Sequence, residues 1–128
     1  MIASLIASIL IQPAALPSGE AEMSRLLQHS CQVQQVNNNG RGEPADYAPF
    51  CGCMDTRIKA DGGPAIHRIF AFGGQGAIQQ QSLLPDWELA RSTAQSEAAA
   101  LPAEEQARFG EILQGALGAC LSLMPMGE

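Results

Sequence analysis

The chain is read as mostly α-helical, a small bundle of three to five helices stapled by disulfides. Three observations predict this class. Apolar residues recur at intervals of three and four along most of the chain. Gly, Pro and Asn clusters divide those stretches into helix-sized pieces. Four cysteines stand among only 128 residues, a length that allows one domain.

The first stretch, residues 2–11, is apolar and uncharged, and Gln12-Pro13 breaks it. A membrane-spanning helix needs roughly 20 apolar residues to cross about 30 Å of hydrocarbon, so this run is too short to span. It matches the apolar region of a secretory signal, with small residues and turn formers after it. Residues 1–21 are therefore read as a cleaved signal peptide, with the cut after Ala21 and Gly19 as the second small residue. No Lys or Arg precedes the apolar run, which departs from the usual pattern. The competing reading is an N-terminal core helix. Cys31 lies too far beyond the run to be a lipidated cysteine.

Residues 22–128 are read as a single helical domain. Its first helix carries Met23, Leu26, Leu27 and Cys31 on one face to about Val36, and the run from Asn37 to Gly42 ends it. The second begins at Glu43-Pro44-Ala45-Asp46 and buries Tyr47, Phe50, Cys51, Met54 and Ile58 before Asp61-Gly62-Gly63 stops it. Pro64 starts a short third helix to Phe72, with Ile66, Ile69 and Phe70 inward. A strand over Ile69–Phe72 competes, because so few residues show no period. Gly73-Gly74-Gln75-Gly76 and the glutamines after it read as a flexible connection near 73–84. Pro85-Asp86-Trp87-Glu88 opens a fourth helix to about Ala99, thin on its inner face beyond Trp87 and Ala90. The last starts at Pro102 and shows a stripe of Phe109, Ile112, Leu113, Ala116, Leu117 and Cys120.

Cys31, Cys51, Cys53 and Cys120 allow three pairings. Helical residues turn about 100° each, so Cys51 and Cys53 point roughly 200° apart. They cannot bond each other there, since a disulfide holds its Cβ atoms about 3.8 Å apart. They reach instead toward two different helices, one carrying Cys31 and one Cys120. In an antiparallel hairpin Cys31 and Cys51 stand at similar heights, which favours Cys31–Cys51 with Cys53–Cys120. The alternative, Cys31–Cys53 with Cys51–Cys120, differs by only one or two residues of register. Each crosslink would contribute about 3–5 kcal/mol in the chain-entropy model.

The layout of an apolar leader, Cys31, then Phe50-Cys51-Gly52-Cys53, and a closing Pro102-Ala103-Glu104-Glu105 helix ending in Ala119-Cys120 resembles small exported bacterial helical proteins of uncharacterised function. The resemblance covers most of the mature chain. It implies the disulfide-linked helical fold and supplies no activity.

Charge excludes some roles. Lys plus Arg number 7 against 13 acidic residues, for a net charge of -6, and the cations are scattered. Neutralising phosphates requires clustered cations, so neither nucleic acid nor an anionic membrane surface is an expected partner. The glycines at 73, 74 and 76 lack the Lys-Ser/Thr of a phosphate loop. No serine sits in a nucleophile elbow. His67, beside Arg68, has no acid nearby and reads as a residue of packing or solvent contact.

Two sharper readings remain. Cys51-Gly52-Cys53 has the form of a dithiol, about one turn into a helix, where reactive thiols occur. His29, Cys31, Cys51 and Cys53 supply the donor types for zinc, and adding Met124 and Met126 gives a soft copper set. Both compete with plain structural pairing of four cysteines in an oxidising compartment. The expectation is a periplasmic or secreted, non-enzymatic structural or protein-interaction module with an envelope partner and no cofactor. The alternative is a periplasmic thiol protein, redox-active or metal-binding through Cys51 and Cys53.

Overall fold

The computed structural model describes residues 16–125. The apolar run of the expected signal peptide lies outside the described residues. Among the described residues four α-helices follow one another: α1 (Glu20–Asn39), α2 (Ala48–Ile78), α3 (Trp87–Ala100) and α4 (Ala103–Cys120). Short 3-10 turns cover Pro44–Tyr47, Gln79–Gln81 and Leu121–Leu123, and no strand occurs among the described residues. The strand considered over Ile69–Phe72 is helix.

α1 runs through Asn39, three residues past the expected end at Val36, because Gly40 alone supplies the left-handed stop. Gly40 has φ 67° and its N–H closes on the Val36 carbonyl at 2.9 Å. The loop then turns through the 3-10 segment, whose Glu43 N–H donates to Asp46 Oδ2 at 2.8 Å. Buried Tyr47 donates its hydroxyl to the Arg41 carbonyl at 3.2 Å and so ties the loop to the core.

The two helices expected on either side of Gly62-Gly63 are one bent helix, α2. Gly63 takes φ 79° and ψ 176°, outside the helical region, and Pro64 directly follows it. The residue before a proline is sterically barred from the α region, and glycine takes positive φ without cost. The break is therefore a sharp bend without a loop. It folds the limb 64–78 back beside the limb 48–62.

The segment near 73–84 corrects the sequence reading. Helix α2 continues through the glycines to Ile78, and a 3-10 turn extends it to Gln81. These glycines permit close packing. A Cβ at Gly74 would collide with the hydroxyl of buried Ser30 on α1. One at Gly76 would lie 2.5 Å from Arg91 Cβ on α3. Backbone approach of this kind explains glycine in a helix interior, where it otherwise costs about 1 kcal/mol relative to alanine.

Buried Gln75 then fastens the connection. Its Nε2 donates to the Leu26 carbonyl at 2.9 Å, and its Oε1 accepts from Ser82 Oγ at 2.6 Å and Leu83 N–H at 2.8 Å. Asp86 caps α3 by accepting from the Leu89 N–H at 3.2 Å. Arg91 donates to the Gly76 carbonyl at 2.8 Å and lies over the Trp87 ring.

The bent α2 is the central post. Helices α1, α3 and α4 each pack on it and touch one another little. The core gathers Leu26, Phe50, Met54, Ile58, Ile66 and Phe72 around Ala90, Ile112 and Ala116. Two disulfides cross this arrangement. Cys31 joins Cys51 and Cys53 joins Cys120, each with Cα atoms 5.7 Å apart. Neighbouring cysteines on opposite faces of α2 thus hold α1 on one side and α4 on the other.

Candidate functional site

A broad apolar concavity is a consequence of that architecture. Because α1, α3 and α4 meet α2 but scarcely one another, a groove opens between them above α2. Its volume is about 640 Å³. Leu27, Ser30, Gln34 and Gln35 line it from α1, and Phe50, Met54, Ile58, Ile69 and Phe70 form the floor on α2. Ala94, Gln95 and Ala98 close it on α3, with Phe109, Leu113 and Leu117 on α4. Among the described residues no acidic, basic or histidine side chain lines it.

The groove explains a departure from the expected α4 stripe. Ile112, Ala116 and Cys120 are buried, but Leu113 is 38% and Leu117 39% exposed. Both belong to the groove wall instead of the core. Phe109 stacks at a tilt on Phe70 with ring centroids 5.5 Å apart, which shapes one part of the lining. The period of apolar residues in α4 identified this face. It did not show that, among the described residues, half of that face is left outside the core.

A second cluster, buried and polar, lies elsewhere on α2. His67 Nε2 is 2.6 Å from Asp55 Oδ1, and the two side chains are 1% and 7% exposed. Gln28 donates to Asp55 Oδ2 at 3.2 Å. Burial alone would push the Asp55 carboxyl up. Hydrogen bonds from His67, Ser24 and Gln28, together with the charge on His67, outweigh burial and hold it below the usual carboxylate range. The expectation that His67 has no acid beside it is thus corrected. Its partner is twelve residues back, and the Gly63 bend brings the two together.

This cluster does not have the layout of a catalytic triad. Among the described residues the imidazole of His67 bonds Asp55 and no hydroxyl or thiol, so no base stands beside a nucleophile. At 1% exposure His67 is also closed to substrate. The cluster ties both limbs of α2 to α1 and is a structural element.

The thiol and metal readings fare differently. Every described cysteine is in a disulfide, and Cys51 and Cys53 are bound to different helices, so they do not form a dithiol pair. Three members of the Cys3His set are consumed in those bonds. The fourth, His29, sits 3.2 Å from Gln75 Nε2, and burial and then the charge of Arg25 push its pKa down. Among the described residues no three His, Cys, Asp or Glu side chains are grouped as metal ligands. Met126 lies outside the described residues. Trp87 is half-buried against Arg91.

The four arginine side chains at 57, 68, 91 and 108 are spent locally. Arg57 and Arg108 pair with acids within a turn, and Arg68 forks onto Glu97 at 2.9 and 3.1 Å while stacking on Phe72. They make no patch for phosphate. Compared with protein-family models, curated proteins and solved structures, the chain matches none.

Proposed function

We propose that this protein is an exported, non-enzymatic binding module whose two disulfides hold a helical frame open around an apolar groove. The groove carries the reading. Pockets that take small ligands run from about 300 to 1,000 Å³, are mostly apolar, and contain a few polar groups that orient the occupant. This one has about 640 Å³, three phenylalanines, and glutamines on two walls. Apolar surface left uncovered inside a small domain gives up stabilisation that closer helix packing would supply. A binding role accounts for that loss.

Export is supported by the apolar leader and by two disulfides, which persist in oxidising compartments. Among the described residues no helix is long and apolar enough to cross a membrane. Cleavage after Ala21 would remove Leu16, which packs against the core, and trim the first turn of α1. Met23 would then be the first core residue of the mature chain.

Two measurements test this reading. The intact mass of protein recovered from the exported fraction should begin near Glu22, with no thiol alkylated before reduction. Full-length mass or free thiols in that fraction would contradict export with paired cysteines. The neutral dye N-phenyl-1-naphthylamine should brighten on binding, saturably and one to one. Ala98→Trp, which fills the groove from α3, should abolish the signal. A dye that does not bind the wild-type protein would contradict the groove reading.

A further inference from the structure

We infer that the occupant of this groove is a small, uncharged amphiphile with a single long apolar chain. The inference rests on the binding role proposed above and specifies its ligand.

Charge complementarity decides between chemical classes. Among the described residues the lining contains no Lys, Arg or His to receive a carboxylate or phosphate, and no Asp or Glu to receive an ammonium. An ion buried without a partner loses its hydration and gains nothing in return. The chain's net charge of -6 adds a weaker, screened repulsion against anions. An anionic lipid or free fatty acid is thereby disfavoured.

The polar groups that do reach the groove are amides and one hydroxyl. Gln34 and Gln35 stand on α1 with Ser30, and exposed Gln95 lines it from α3. A primary amide both donates and accepts without carrying charge. That chemistry matches an ester carbonyl or a hydroxyl. The α4 wall, with Phe109, Leu113 and Leu117, has no hydrogen-bonding side chain among the described residues and suits a hydrocarbon chain. Amides on two walls and hydrocarbon alone on the third fit an amphiphile.

The test is displacement of N-phenyl-1-naphthylamine from the oxidised wild-type protein at pH 8, with every competitor below its aggregation concentration. Monooleoylglycerol and oleate share one chain and differ in charge. Monooleoylglycerol is expected to displace the dye at least about tenfold more effectively than oleate. Gln95→Lys, a change on the exposed surface of α3, is expected to improve oleate relative to monooleoylglycerol. Equal or better displacement by oleate from wild type overturns the inference while leaving the groove reading in place. Displacement by neither compound, with dye bound, also overturns it and leaves the groove to a protein segment. A dye that never binds overturns both.

Discussion

His67 Nε2 lies 2.6 Å from Asp55 Oδ1, and this contact clasps the two limbs of α2 across the Gly63 bend. Both side chains are buried, so each relies on the other for satisfaction. Removing one partner strands a polar or charged group, whereas replacing both by apolar groups does not. His67→Leu is expected to destabilise the fold by about 3 kcal/mol in urea denaturation. The double variant Asp55→Leu/His67→Leu should lose less than His67→Leu alone. Additive losses would show that the clasp is not a coupled pair.

The same carboxylate gives a pH dependence with a definite sign. The folded-state pKa of Asp55 lies below its unfolded value, which is about 3.9. Its stabilising contribution is therefore present above that unfolded value and is lost as pH falls through the folded one. The stability gap between wild type and Asp55→Asn should narrow below about pH 4. A gap that widens with acid would contradict the assignment.

The two disulfides close loops that follow one another without overlap, with separations of 20 and 67 residues. The chain-entropy model assigns them about 3 and about 4 kcal/mol. Replacing Cys53 and Cys120 by serine should therefore cost more than replacing Cys31 and Cys51. It should also free α4, which rests mainly on α2, and raise amide exchange across 103–120 first. Equal protection of α4 in both variants would contradict its dependence on the crosslink.

Close packing at Gly74 predicts a rescue. Gly74→Ala places a methyl against the Ser30 hydroxyl and should cost about 1–3 kcal/mol. Adding Ser30→Gly vacates that space and should recover part of the loss. By contrast, Leu113→Gln with Leu117→Gln should change stability little, since both side chains are already more than a third exposed. That pair should still weaken dye binding several-fold.

The sequence made some of this legible for definite physical reasons. Helix α4 follows from its apolar period, α3 from Asp86, and the end of α1 from the Asn-Gly cluster with its left-handed Gly40. Cys51 and Cys53, two residues apart on a helix, had to face different neighbours. What was hidden depends on distant partners. The glycines at 73, 74 and 76 look like a linker until Ser30 and Arg91 stand against them. His67 looks solitary until a bend at Gly63 returns it to Asp55. Leu113 and Leu117 share a stripe with buried Ile112, and periodicity does not say which part of a stripe a neighbour covers. The groove is made of such uncovered parts.

The groove's role is tested most directly by a methyl-resolved NMR titration of the oxidised protein with monooleoylglycerol. The account predicts saturable shifts at the methyls of Ile69, Leu113 and Leu117, which line the groove, and none at Leu83 or Leu121, which do not. Shifts confined to Leu83 and Leu121, or no saturable shift at any methyl, would contradict it.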